Sequence, residues 1–169
     1  VSNACKKNNL KLPVLMCEPG RSIVSTAGVT IYKIGSFKEI PGLKTYISVD
    51  GGMSDNPRPI TYQSNYSACL VKDPLNKNQI NRYTVAGKHC ESGDVLLKEI
   101  EIGKCQTGDL LCVFGTGAYN LSMSSNYNRI PRPAALLVSN GNAELIQKRE
   151  TSEDLLKFDV LPDRFIKQS

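Results

Sequence analysis

Four short segments of this 169-residue chain carry residue types that could do chemistry. Cys90-Glu91-Ser92-Gly93-Asp94 sets a thiol, a hydroxyl and two acids between the apolar runs 83–86 and 95–97. Strand interiors favour β-branched and aromatic residues, so five small or polar residues in a row mark a shaped turn. A cysteine beside a carboxylate in such a turn is a candidate for proton transfer or amine binding. The ordinary alternative is a thiol packed behind a polar turn, because free cysteine is among the most buried residue types.

Glu18-Pro19-Gly20-Arg21 flanks a sharp turn with a carboxylate and a guanidinium, a pair suited to a cofactor ring and an anion, or to a structural ion pair. In Gly51-Gly52-Met53-Ser54-Asp55-Asn56-Pro57-Arg58-Pro59-Ile60-Thr61-Tyr62, two prolines lead us to expect Arg58 in an extended backbone, with Tyr62 four residues on. A rigidly held Arg beside a phenol suits a carboxylate clamp, since a guanidinium can bind both carboxylate oxygens; a solvated surface loop is the alternative. Gly115-Thr116-Gly117-Ala118-Tyr119 permits close backbone approach and offers a phenol to a phosphate or a ring, a weak signal alone.

Strands and turns must position these groups. Residues 12–17 read as a short buried strand broken by Pro19 and Gly20, with one or two helical turns expected over 22–27. A strand, a Gly-containing turn and a helix start would aim backbone N–H groups at an anion. From Val29 the pattern is β: residues 29–34, 44–49, 67–72, 83–86, 95–102 and 110–114 alternate or run apolar at strand length. A hairpin is expected over 134–139 and 143–148 around Asn140-Gly141-Asn142, and a short helix over 151–156 from its Thr-x-x-Asp capping pattern. Turn signals recurring every 10–20 residues fit an antiparallel sandwich or barrel. The irregular stretches 51–66 and 115–132 are rich in Gly, Asn, Ser, Arg and Tyr, as functional loops are.

The totals narrow the options. At 40% hydrophobic and 22% charged the chain has ordinary globular composition, with room for one well-buried core. Net charge is +5, yet the 21 basic residues are scattered and form no stripe with interleaved aromatics, which argues against nucleic-acid binding. No apolar stretch nears the ~20 residues of a membrane span. The first twelve residues, with three lysines and no apolar core, do not read as a secretory signal. Six irregularly spaced cysteines without a CxxC pair point to a reduced, cytoplasmic protein, and with His89 as the single histidine no zinc site is expected. A start at Val1 rather than Met leads us to expect a piece of a longer protein.

In their order and spacing the segments resemble the C-terminal part of the diaminopimelate decarboxylases, members of the pyridoxal-phosphate decarboxylases with an alanine-racemase-like barrel. The resemblance runs from Cys17-Glu18-Pro19-Gly20-Arg21 through Asp50-Gly51-Gly52-Met53 and Asn56-Pro57-Arg58-Pro59 to Gly87-Lys88-His89-Cys90-Glu91-Ser92-Gly93-Asp94. It continues through Gly115–Tyr119 into Arg149-Glu150-Thr151. It implies a mainly β fold: a C-terminal antiparallel β-sandwich or Greek-key barrel domain over residues 28–169, preceded over 1–27 by the last βα remnant of a (β/α)8 barrel.

By this resemblance Glu18 would pair with the pyridine nitrogen of pyridoxal phosphate, with Gly20 and Arg21 at its phosphate and Tyr119 also touching cofactor and substrate. Arg21, Arg58 and Tyr62 would grip the distal carboxylate of meso-diaminopimelate, Glu91 would hold its distal amine, and Cys90 would be the proton donor. The resemblance further implies a homodimer in which the Cys90–Glu91 pair reaches into the neighbour's site, and a role in lysine biosynthesis. The cofactor-bearing lysine of such enzymes belongs to the barrel, and no lysine here sits in a matching setting, so the 169 residues alone are expected to be inactive. Two other readings compete: a sister decarboxylase acting on ornithine, arginine or carboxynorspermidine, and a non-catalytic dimerising relative.

Overall fold

The computed structural model describes residues 1–75 and 79–165. Six strands form one sheet: β1 (Val29–Ile40), β2 (Lys44–Val49), β3 (Ala68–Leu70), β4 (Ile80–Ala86), β5 (Val95–Gly103) and β6 (Leu110–Phe114). Their order is β3-β6-β1-β2-β4-β5, and the outer strands β3 and β5 meet, so the sheet curls into a nearly closed barrel. β1 serves both halves. Its first five residues pair with β6, the rest pair with β2, and a register shift between Ile34 and Phe37 bends the strand between the two jobs. Inward-pointing Tyr32, Ile34, Ile47, Val85, Leu111 and Val113 are almost wholly buried and make the core with Leu70, Leu96 and Ile102. Each such side chain removed from water stabilises the fold by about 1.5–3 kcal/mol.

The mainly β expectation holds, with local corrections. β2 and β4 pair in parallel, Thr45 opposite Tyr83 and Ser48 opposite Ala86, inside an otherwise antiparallel sheet. Parallel neighbours need a long crossover, and the thirty residues from Asp50 to Gln79 supply one. Residues 12–17 form no strand: Val14 is 89% and Met16 91% exposed. A strand needs a neighbour for its N–H and C=O groups, and no strand among the described residues lies beside this segment. Two short helices frame it, α1 (Ser2–Lys7) and α2 (Gly20–Val24), the latter continued by a 3-10 turn, Ser25–Ala27.

Arg58 is not extended either. It opens a helix, α3 (Arg58–Tyr62), in which the Thr61 N–H and hydroxyl both donate to Pro57 O, at 3.0 and 2.9 Å. First-turn N–H groups have no helical partner, so Pro57 and Pro59 forfeit no hydrogen bond there. Packing of α3 on β5 outweighs the pre-proline bias against helical backbone.

Beyond the barrel, β7 (Ala135–Ser139) and β8 (Asn142–Gln147) form the expected hairpin. Asn140 and Gly141 both take positive φ, 51° and 80°, as the tight turn matching strand twist requires. α4 (Ser152–Leu156) opens on a complete capping box between Thr151 and Asp154. No described helix is long and apolar enough to cross a membrane.

Glu150 ties this region back to the loop before β7. It accepts from Arg132 Nε at 2.7 Å, from Arg132 N at 2.8 Å and from Asn126 Nδ2 at 2.5 Å. The Arg132 side chain is the main cause of its pKa falling from 4.5 to about 2. A carboxyl depressed in the folded state stabilises fully above its unfolded value, and that support disappears as pH drops through the folded value. Amide-exchange protection around residues 126–132 should therefore weaken between about pH 4.5 and pH 2, and Glu150→Gln should abolish that pH dependence.

Candidate active site

Tyr119 is the centre of one cluster. The loop after β6 brings it there: Thr116 N donates to Gly28 O and Gly117 N to Ser25 O, both at 3.0 Å, docking the loop on the turn after α2. The backbones touch so closely that a Cβ on Gly117 would lie 1.9 Å from Val24 O. We expect Gly117→Ala to cost roughly 1–3 kcal/mol in chemical denaturation, because backbone, not a flexible side chain, must move. Tyr119 itself has φ 62°, a left-handed conformation uncommon for a residue with a Cβ.

Around this phenol gather the residues expected from sequence. A Cβ on Gly20 would stand 3.3 Å from Tyr119 Oη. Arg21 Nη1 donates to Ala118 O at 3.2 Å, and its Cζ lies 5.9 Å from the Tyr66 ring centre. The Arg58 guanidinium sits 4.8 Å from the Tyr62 ring and 5.7 Å from the Tyr119 ring. Cation–ring contacts hold both guanidiniums without neutralising them. Among the described residues no carboxylate pairs with Arg21 or Arg58, and Arg58 Nε is buried with no partner. Two uncompensated cations beside phenols have the chemistry to bind an anion. Tyr66 is a residue that sequence reasoning missed; its one signal was membership of the aromatic-rich loop 51–66.

Cys90 and Glu91 form a second group, presented to solvent by a turn with a buried anchor. Cys90 is exposed, not packed behind the turn, and takes φ 57°. The anchor is Asp94, whose side chain is 2% exposed. Asp94 accepts from His89 N and His89 Nδ1 at 2.9 Å each and from Met53 N at 2.7 Å. One carboxylate thereby binds the 87–94 turn to the 51–58 loop. Gly87 is obligatory here, since its Cβ would fall 2.1 Å from Asp94 Oδ2. The outer face of the turn meets α3, where a Cβ on Gly93 would lie 2.6 Å from Ile60 Cδ1.

Glu91 Oε1 accepts from Tyr127 Oη at 2.5 Å, and the carboxylate raises the phenol's pKa. Tyr127 is held by its neighbours: Asn128 Nδ2 donates to His89 O at 2.9 Å, while Arg129 makes a two-pronged pair with Asp159 at 2.6 and 2.9 Å. Like Tyr66, Tyr127 was marked in the sequence only by membership of a Tyr-containing loop, 115–132, and it lies 36 residues from Glu91. Among the described residues no hydrogen bond or ion pair joins Cys90 or Glu91 to Arg21, Arg58, Tyr62 or Tyr119. Glu18 is exposed and unpaired among the described residues.

Residues 22–117 match the family described as pyridoxal-dependent decarboxylase, C-terminal sheet domain. The chain belongs to the pyridoxal-dependent decarboxylases. It is 54% identical over 98% of its length to the diaminopimelate decarboxylase of Synechocystis sp., and 48% identical over 95% to that of Bacillus subtilis. It spans 35% and 36% of those two relatives, about a third of their length. Among solved structures it is similar to diaminopimelate decarboxylase from M. jannaschii, with a TM-score of 0.81 and 36% identity. That match covers 96% of this chain and 37% of that one, and the same enzyme is known in co-complex with L-lysine. A lysine/ornithine decarboxylase from Vibrio vulnificus (TM-score 0.57, 20% identity, 66% of this chain) shares the fold of this decarboxylase domain.

Proposed function

We propose that this decarboxylase chain supplies the substrate-gripping part of an enzyme that converts meso-diaminopimelate to L-lysine with pyridoxal phosphate. The observation that carries the reading is a pair of guanidiniums that no described carboxylate neutralises, Arg58 against the Tyr119 ring and Arg21 on the carbonyl of the adjacent Ala118. Residues 1–27 would then belong to the end of a (β/α)8 barrel and 28–169 to the β domain.

The residues present suit pyridoxal phosphate. Glu18 offers a carboxylate that no other described residue claims, and the Gly20 backbone lies against the Tyr119 hydroxyl where a Cβ would crowd. Glu18, Gly20, Arg21 and Tyr119 would hold it. When bound, the cofactor supplies an electron sink for the bond to CO2, and Glu18 keeps its ring nitrogen protonated.

The rest is work for this chain's own side chains. Arg58, steadied by Tyr62, binds the carboxylate at the non-reacting end of the substrate, and Arg21 adds a second positive charge. Glu91 binds the distal amine, its second oxygen free while Tyr127 holds the first. Cys90 gives a proton to the carbon that has lost CO2. Among the described residues no hydrogen bond or ion pair joins Cys90 or Glu91 to the arginine cluster of the same chain, which supports a site whose two halves come from two copies related by a two-fold axis. A substrate lacking the distal carboxylate would leave two arginines unmatched, a far larger penalty than a missing methylene. That argues against ornithine, arginine and carboxynorspermidine. Retention of Cys90, Glu91, Arg21 and Arg58 argues against a non-catalytic relative. Six free thiols fit a cytoplasmic setting.

The assay is lysine and CO2 release from meso-diaminopimelate by the intact protein that carries this chain, with ornithine as the competing substrate. Turnover of diaminopimelate in at least about hundredfold preference is expected; equal or better use of ornithine would sink the reading.

A further inference from the structure

Cys69 and Cys112 face each other across neighbouring strands, and the site proposed above uses neither. The β3–β6 register pairs them directly. Phe114 N donates to Ser67 O and Val71 N to Leu110 O, each at 2.9 Å, two residues to either side. Hydrogen-bonded pairs alternate along an antiparallel ladder, so Cys69 and Cys112 are also a hydrogen-bonded pair, with Cα atoms about 5.5 Å apart. Disulfides accept Cα separations of about 4.4–6.8 Å but need Cβ atoms about 3.5–4.5 Å apart, closer than a hydrogen-bonded pair holds them, so the two strands must draw together by about 1 Å.

The side chains also point the same way. Leu70, Leu111 and Val113 enter the core, so by the two-residue period of a strand both thiols lie on the sheet's other face. The next residue in that row, Ile31, is opposite Cys112 on β1 and 48% exposed. Cys69 is half-buried and Cys112 is 9% exposed. β3 is the outermost strand of the sheet order, so it can shift toward β6 without breaking a second ladder.

The geometry points to a reversible cross-strand disulfide, Cys69–Cys112, formed when a hydroperoxide reaches the outer face of β3. Burial, the larger cause, and the neighbouring Cys69 thiol both push the Cys112 thiol up, and Cys69, the more exposed of the two, is the thiol the peroxide reaches first. Its sulfur gives up its proton and bonds to a peroxide oxygen, the O–O bond breaks, and the departing hydroxide takes that proton to leave as water, giving a sulfenic acid. The Cys112 sulfur then attacks that sulfur, the S–O bond breaks, and the oxygen departs as a second water with the remaining proton. Two thiols and one hydrogen peroxide thus give one disulfide and two waters.

The link would tie together the two segments that hold Arg21. Tyr66, under its guanidinium, enters β3, and Ala118, its hydrogen-bond acceptor, follows β6.

The test is peptide mapping of the intact protein after hydrogen peroxide treatment, with thiol alkylation and without reductant. The expected product is a Cys69–Cys112 cross-linked peptide lighter by two hydrogens, lost on dithiothreitol treatment and absent in Cys69→Ala. Exposed Cys17 and Cys90 report that the oxidant arrived. If either has reacted while Cys69 and Cys112 remain separately alkylatable, the proposal is overturned. The mapping reads the unaltered protein, so it stands even if the variant misfolds.

Discussion

Replacing Asp94 by alanine should destabilise the protein by about 3–5 kcal/mol, because three buried donors lose their shared acceptor and each unsatisfied donor costs about 1–3 kcal/mol. The carboxylate is almost fully shielded from water and accepts three hydrogen bonds, two from His89 and one from Met53 N. Alanine leaves all three donors without their acceptor. Against a total folding free energy of about 5–15 kcal/mol, that is a large share. Asp94→Asn should fare little better, because an amide presents N–H to one of the donors. Glu101→Ala is the contrast: its pair with Arg82 at 3.1 Å has both side chains more than half exposed. Such pairs are worth about 0–1 kcal/mol. Chemical denaturation of the three variants measures the difference. An Asp94→Ala variant within about 1 kcal/mol of the parent would mean that the turn is held by something other than this anchor.

Replacing Arg58 by alanine should do the reverse, sparing the fold and removing activity. Folding loses only the contacts of the half-buried guanidinium with Tyr62 and Tyr119, about 0.5–2 kcal/mol. Turnover loses the group proposed to hold the distal carboxylate, and kcat/KM for diaminopimelate should fall by roughly a thousandfold. Arg58→Lys keeps the charge but not the two-pronged geometry, so it should recover only a small part of that loss. Any ornithine turnover should be unchanged, because that substrate has no distal carboxylate to lose. Full diaminopimelate activity in Arg58→Ala would remove Arg58 from the clamp.

Much of the fold was legible because it depends on local patterns. The alternation at 44–49, the apolar run at 110–114, the Asn140-Gly141 turn and the Thr151–Asp154 cap each act over a few residues, and each is found as expected. The misreadings have one cause. Residues 12–17 carry strand-like composition without a neighbouring strand, and Arg58 carries a pre-proline bias that helix packing on β5 overrides. The parallel β2–β4 pairing is likewise a matter of which strand lies alongside, not of what either strand contains. Propensity is a weak prior wherever burial decides.

Residue types and their order determined the candidate chemistry: a thiol beside an acid in a polar turn, a guanidinium between prolines, and a phenol after a glycine-rich loop. Tertiary structure alone decided which of these meet. Arg21 finds Ala118 across 97 residues, and Glu91 finds Tyr127 across 36. It also divided the groups, setting Arg21 and Arg58 around Tyr119 and leaving Cys90 and Glu91 on a turn anchored by Asp94. The reason is physical. Backbone periodicity specifies which face a side chain takes within a few residues, whereas contacts between distant segments form only when sheet closure and burial bring those faces together.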